Sequence, residues 1–314
     1  MRIASLLPSA TEIVCALGAA SALVGRSHEC DHPEGVFALP ALTRTRLATG
    51  GSSTAIDGDV RALVERALAL YEVELDALAR AMPDVVVTQD LCDVCAVSFR
   101  DVCLATRDVL GDGVAVVALH PQRLSDVWDD VRRVAGAIGR AGAGDALSRE
   151  LEQRTHAIAA RVPEGARRPT VLSIEWLSPA MIGGLWMPEL IELAGGIPLV
   201  TRPGERAPTL DFEALSGLDP DVVLVKPCGF ELERTLEERE LMARALPFQT
   251  WRAAREGRVF VADGNAFFNR SGPRLVESLE ILAACTHPGL FPDFRERHAR
   301  FGRRLTRDLE AVPL

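Results

Sequence analysis

Two histidines, a cysteine and two acids fall within five residues at His28-Glu29-Cys30-Asp31-His32, in a polar stretch that opens at Ser27 and is stopped by Pro33. Further along, Cys92 and Cys95 form a C-x-x-C, and Cys228 follows Lys226-Pro227. Four thiolates from Cys30, Cys92, Cys95 and Cys228 would suit a structural zinc ion or an iron–sulfur cluster. Cys228 lies far off in the second half of the chain. A site confined to the first half would replace it with His28 or His32, giving three cysteines and a histidine. A C-x-x-C alone is a weak signal, and thiols beside Asp31, Asp90 and Asp93 should resist ionisation, because nearby negative charge disfavours a thiolate. Without a metal, these cysteines simply line a pocket. Covalent chemistry has little support: Cys30 or Cys92 could act as a nucleophile with His28, but no spacing favours it. The nucleotide-binding glycine motifs and the G-x-S-x-G elbow are absent from the sequence. A non-catalytic role fits better than an enzymatic one.

These residues follow short apolar runs that read as strands. Ile3-Ala4-Ser5-Leu6 precedes Ser9-Ala10-Thr11-Glu12, a capping-box pattern for a helix start. The second half echoes this with Val171-Leu172-Ser173-Ile174 and a helix near Glu189–Leu193. Pro83-Asp84-Val85-Val86-Val87 is matched by Pro220-Asp221-Val222-Val223-Leu224, and each run leads to a cysteine. Continuous apolar strands alternating with helices predict parallel sheets covered on both faces. The fold class is therefore α/β, with two Rossmann-like lobes. The boundaries are an N-terminal lobe over 1–122, a connector over 123–162 and a C-terminal lobe over 163–314. Helical spacing of Val127, Val131, Val134, Ile138, Leu147, Leu151 and Ile158 predicts one long connecting helix, with its weak point near Gly142. The stripe Phe294, Phe301, Leu305, Leu309 predicts a terminal helix with Arg295, Arg297, Arg300, Arg303, Arg304 and Arg307 on its other surface.

Ligands in such sheets bind beyond the carboxyl ends of the strands, and two lobes can present those ends across a cleft. That rule selects the candidate ligand-binding residues. From the first half they are His28, Glu29, Cys30, Asp31, His32, Gln89, Asp90 and Cys92. From the second they are Glu175, Trp176, Trp186, Cys228, Phe230, Asn265 and Phe267. Cys15, Cys103 and Cys285 fall in helical or pre-helical segments and read as packing.

Composition narrows the partners. The formal net charge of −9 argues against nucleic acid, whose phosphates an acidic chain repels. No apolar run is long enough to span a bilayer, so membrane insertion is not expected. No secretory signal precedes the first strand, which points to the cytoplasm as the sequence stands; a signal removed earlier would place the protein in the periplasm or outside the cell. Seven cysteines cannot all pair within one chain.

Ile3–Glu12 (IASLLPSATE), Leu17-Gly18, Leu23-Val24-Gly25 and Cys30-Asp31-His32-Pro33 resemble the opening of the cobalamin-binding and ferric-siderophore-binding proteins of ABC importers. The likeness continues through both Pro-Asp-Val-Val strands. The stretches Ser27–Pro33 and Gln89–Cys95, with Pro227-Cys228-Gly229-Phe230 and Asp263-Gly264-Asn265, look most like a signal-less subgroup usually labelled cobalamin-binding. The resemblance implies two lobes held by a rigid backbone helix, a small-molecule ligand such as cobalamin between them, and an ABC importer as partner if the chain is exported. The cleft cysteines and the missing signal depart from the exported relatives.

Overall fold

The structure is a computed structural model that describes residues 1–46, 51–65, 71–90 and 99–314. The first lobe runs β1 (Ile3–Ser5), α1 (Pro8–Ala16), β2 (Leu23–Gly25), β3 (Thr43–Thr45), α2 (Ser53–Glu65), β4 (Tyr71–Val73), α3 (Leu75–Ala81), β5 (Val85–Gln89), α4 (Phe99–Leu110) and β6 (Ala115–Leu119). Helices α5 (Leu124–Ala137) and α6 (Ala141–Ala159) follow. The second lobe begins with β7 (Thr170–Leu177), β8 (Ala180–Ile182), α7 (Met187–Leu193), β9 (Ile197–Pro198), β10 (Thr209–Leu210) and α8 (Phe212–Ser216). It continues with β11 (Val222–Val225), α9 (Leu232–Glu237), α10 (Arg239–Ala245), α11 (Arg252–Arg255), β12 (Val259–Ala262), α12 (Leu275–Thr286), α13 (Pro292–Arg297), β13 (Gly302–Leu305) and β14 (Ala311–Pro313).

The internal repeat is visible in the sheets. Lobe 1 has the order β2-β1-β5-β6, all parallel. Lobe 2 has the corresponding parallel core β9-β7-β11-β12. The two Pro-Asp-Val-Val segments supply β5 and β11, and each lies beside the first strand of its lobe. Lobe 2 adds antiparallel strands on both sides, β8 and β10 on one and β13 and β14 on the other. Both faces of its sheet are packed. Val222, Leu224 and Phe260 join α12 in one apolar cluster, while Val223, Val225 and Val261 join Trp251 and Met242 in another.

The connector differs from one continuous helix. A Schellman motif ends α5: Arg140 N–H donates to Ala135 O at 2.7 Å and Gly139 N–H to Gly136 O at 3.2 Å. Gly139 has φ +71°, the left-handed conformation this cap requires. The break therefore falls at Gly139, ahead of Gly142. The chain then turns back, and α6 packs along α5. Ser148 Oγ donates to Trp128 O at 3.0 Å, and a Cβ on Gly144 would stand 2.4 Å from that of Ala135, so only glycine permits this approach. Helix α5 bridges the two lobe cores. Leu124, Val127 and Trp128 enter a lobe 2 core, while Val131, Val134, Ala135 and Ile138 enter the lobe 1 core.

The expected terminal helix over Phe294–Leu309 is also corrected. It ends at Arg297, and the chain continues as the β13–β14 hairpin, with Leu309 at φ +61° in its turn. The exposed edge of β12 supplies the reason. Residues 302–305 satisfy its ladder from Val259 to Ala262, and the strand period still buries Leu305.

Candidate functional site

A cleft of about 560 Å³ opens between the lobes, at the carboxyl ends of the parallel strands. Its apolar lining includes Leu6, Leu7, Pro8, Val73, Met181, Leu185, Met187 and Phe268. Four primary amides also face it: Gln89, Gln122, Asn265 and Asn269.

The lobe 1 wall is organised by Thr43 on the small β3–β4 ribbon. Its hydroxyl accepts from the His28 backbone N–H at 3.1 Å, lies 2.7 Å from His28 Nδ1 and donates to Ser27 Oγ at 3.0 Å. The His28 ring rests against Tyr71 with centroids 5.0 Å apart, and Tyr71 donates its phenolic proton to Glu29 Oε1 at 2.7 Å. Burial lowers the His28 pKa below its ordinary value, with Arg26 adding to the effect and Glu29 opposing it. The imidazole is therefore neutral at pH 7.

The lobe 2 wall rests on Lys226, whose side chain is fully buried at the end of β11. Its ammonium stands 3.2 Å from Glu175 Oε2 and 2.8 Å from Asn269 Oδ1. Asn269 in turn donates to Gly264 O at 2.9 Å. A buried ammonium needs such partners, because losing water is otherwise too costly. A Cβ on Gly264 would lie 2.1 Å from Pro227 O, so the two strand-end loops touch through backbone alone. Cys228 caps this floor with its side chain exposed to the cleft. The surrounding protein, then the Glu175 carboxylate, push its thiol upward. Its accessible surface and its poorly solvated surroundings are compatible, since a thiol at the bottom of a cleft meets little bulk water.

An ion network ties the two walls together. Asp31 of lobe 1 takes a two-pronged contact from the Arg270 guanidinium, with Nη2 to Oδ2 at 2.7 Å, and accepts from Asn265 Nδ2 at 2.9 Å. Glu12 of α1 receives Arg270 Nη1 at 3.3 Å and Arg274 Nε at 2.9 Å. Burial would raise the Asp31 pKa, but Arg270 outweighs it and holds the carboxyl below the usual range. Helix α2 makes a second tie: Ser53 N–H donates to Glu238 Oε1 at 2.8 Å, and Arg234 Nη2 reaches Gly51 O at 2.8 Å.

The candidate ligand residues do not all reach the cleft. Glu29, Gln89, Glu175, Trp186, Cys228 and Asn265 line the cleft. His28, Asp31, Trp176, Phe230 and Asp90 stand near those loops with protein partners of their own. Trp176 packs on Phe230 at 5.3 Å, and Asp90 O accepts from the His120 ring. His32 is exposed to solvent, and partial loss of water around its ring, then Arg274, lowers its pKa. Cys30 and Phe267 are placed elsewhere. Cys30 turns into the lobe 1 core, 3.0 Å from Thr11 Oγ1, where burial pushes its thiol up to about 11. Phe267 packs edge-on against Phe301 at 4.8 Å in lobe 2. Cys92 and Cys95 lie outside the described residues. Among the described residues no group of three or more His, Cys, Asp or Glu gathers in a metal-holding arrangement. With Cys30 facing the core, the four-cysteine set loses a member for a simple geometric reason. Cys285 is buried as expected, whereas Cys15 and Cys103 are half-exposed.

Sequence reasoning missed Thr43, Tyr71 and Arg206; Asn269 and Arg270 fall in the strand-end stretch 263–270 that it marked as probable lining, without being singled out. Tyr71 is the only tyrosine of the chain and sits in a three-residue strand, and that rarity was the available signal. Arg206 lines the cleft with an exposed side chain and forms no ion pair among the described residues.

A family model for periplasmic binding proteins matches residues 3–266. A search of curated protein sequences returned no match. Among solved structures, the chain is similar to a periplasmic heme binding protein from Pseudomonas aeruginosa, with 20% identity, 99% of this chain and 97% of that chain covered, and a TM-score of 0.68. It is similar to the periplasmic vitamin B12 binding protein BtuF of Vibrio cholerae at 16% identity, with 91% and 96% covered and a TM-score of 0.65. It is also similar to S. aureus IsdE complexed with heme at 13% identity, with 91% and 98% covered and a TM-score of 0.68. At these identities the likeness concerns the fold.

Proposed function

The chain belongs to the periplasmic binding protein family, and we propose that it is a non-catalytic binder of a metal-bearing macrocycle, first of all a corrinoid such as cobalamin. The observation that carries this reading is the pairing of apolar walls with four primary amides around one cleft of about 560 Å³. A corrinoid presents a flat macrocycle edged with carboxamides. The macrocycle would lie on Leu6, Leu7, Met181 and Leu185, and Gln89 and Gln122 would exchange amide hydrogen bonds with its rim, beside Asn265 and Asn269, whose amides are held by Asp31, Arg270, Lys226 and Gly264. The similar structures named for vitamin B12 and heme support a ligand of this class. If the protein works outside the cytoplasm, the partner is an ABC importer. Inside, the same cleft would buffer or deliver the cofactor, and the free thiols of Cys30, Cys228 and Cys285 fit that reducing setting.

A second reading, heme, is favoured by two groups. Tyr71 is a candidate axial ligand whose phenolic proton already points at the Glu29 carboxylate. Arg206 is available for a peripheral carboxylate. Absorption titrations with cyano-, hydroxo- and adenosylcobalamin and with hemin separate the readings. A spectral shift and saturable heat with a cobalamin support the corrinoid. A shift with hemin alone, abolished in Tyr71→Phe, would replace it with heme. No response to any of the four by folded protein sinks both.

A further inference from the structure

A second cavity, of about 370 Å³, lies in lobe 2 away from the cleft. Its lining draws on the amino end of β12 and the carboxyl end of α12, whereas the cleft takes the carboxyl ends of the strands; the two share no lining residue. Three arginines line it: Arg258, Arg295 and Arg304. Their neighbours are neutralised: Arg297 pairs with Glu280 and Arg161 with Asp293. Among the described residues, none of the three cavity arginines forms an ion pair.

The site is fixed as well as charged. Arg258 Nη2 donates to Thr286 O at 2.8 Å, which anchors its guanidinium at the end of α12. Burial and then the like charge of Arg167 draw its pKa down against the pull of Asp221 and Glu256. Gly257 has φ +64°, and a Cβ there would come within 2.9 Å of Arg304 Nη1, so glycine leaves Arg304 its place. The remaining wall is apolar, with Phe260, Pro288 and Leu314. Six arginines between 295 and 307 concentrate positive charge on this part of a chain whose net charge is −9.

We infer that this cavity is a second binding site, for an organic phosphate whose phosphate group is held by Arg258, Arg295 and Arg304 and whose apolar or planar part rests on Phe260 and Pro288. Arginine forks match phosphate oxygens two at a time, and guanidiniums remain charged at any physiological pH. The volume falls within the range of small-molecule pockets. This inference is independent of what the cleft holds.

Calorimetry at low ionic strength with ADP tests it, with adenosine and inorganic phosphate as comparison probes. The expected result is saturable ADP binding, at least about tenfold weaker for each comparison probe. Arg304→Gln and Arg295→Gln should each weaken ADP by about tenfold, with Arg304→Lys recovering part of the loss. Circular dichroism confirms that each variant is folded, and the two glutamine variants read different elements of the fold. No ADP heat at millimolar concentration overturns the site, as does ADP affinity unchanged in both glutamine variants. Equal affinity for inorganic phosphate and ADP overturns the assignment of an organic phosphate.

Discussion

Lobe 2 carries its part of the cleft on strands buried against apolar clusters on both faces, with a fully enclosed Lys226 beneath. Lobe 1 carries Thr43, Tyr71 and Val73 of its part on β3 and β4, a ribbon of three residues per strand whose Tyr71, Glu72 and Val73 are only half-buried. The same strand–helix repeat thus supports the ligand in two ways. One wall is held by burial and a compensated charge, the other by a chain of hydroxyl and imidazole hydrogen bonds running from buried Ser27 and Thr43 to half-buried His28. A repeat preserves topology without preserving stiffness, and the stiffness depends on the side chains that satisfy each strand end.

The comparison is most exposed to failure at Lys226. Truncation in Lys226→Ala strands Glu175 and Asn269 on the cleft floor, and should cost about 3–5 kcal/mol of stability. Urea unfolding at pH 7 measures it, and a loss below about 1 kcal/mol would mean that lobe 2 does not depend on its buried charge. Next comes the bridge. Arg270→Gln removes a guanidinium that holds both Asp31 and Glu12, and should cost about 3 kcal/mol. Its unfolding should also separate into two transitions as the lobes lose their coupling, which calorimetric scanning would resolve.

On the lobe 1 side, Thr43→Val leaves the His28 N–H and Ser27 Oγ without their partner. It should cost about 1–2 kcal/mol and weaken cleft ligands further. A cost as large as that at Lys226 would erase the distinction between the walls. The smallest effect concerns Asp130 on α5, buried with Oδ2 unpartnered, whose pKa burial pushes up to about 6 against the pull of Arg133. A carboxyl raised in the folded state helps folding while protonated. Its contribution is complete below the unfolded value near 4 and is lost as pH rises through about 6. Asp130→Asn should therefore raise stability at pH 7.5 by about 1 kcal/mol and leave it nearly unchanged at pH 4. Melting curves across that range give the sign.

Topology was legible because it is written in long apolar runs. Val85–Val87 and Val222–Leu224 had few alternatives once each was seen behind Pro-Asp and ahead of a turn. The connector was legible as helix, and α5 performs the bridging role expected of it. The turn at Gly139 was not legible, since four glycines stand between 136 and 144 and only packing against Ala135 selects among them. The residues after β2 show the same limit more sharply. Glu29, Cys30 and Asp31 were rightly placed at a strand end, yet they diverge to the cleft, the lobe 1 core and Arg270 of the other lobe. Three successive side chains on a loop point in different directions, and their partners lie up to 239 positions away. The C-terminal arginines show an ambiguity of period, because Phe294, Phe301 and Leu305 satisfy a helical stripe while Leu305 also fits the strand that a free sheet edge recruits.

The contact of Ser53 with Glu238 has a consequence for dividing the molecule. A cut between the halves of the gene would separate Glu238 from the backbone N–H and hydroxyl that it now receives, and α2 would leave with the wrong fragment. Each fragment would present a surface shaped for the other: Glu12 and Asp31 on one, Arg270, Arg274 and Glu238 on the other. Such complementary halves are the starting material for a split reporter. Reassembly would restore the buried pairs and the cleft in the same event, so a ligand that requires both walls would favour the joined form over the separated pieces.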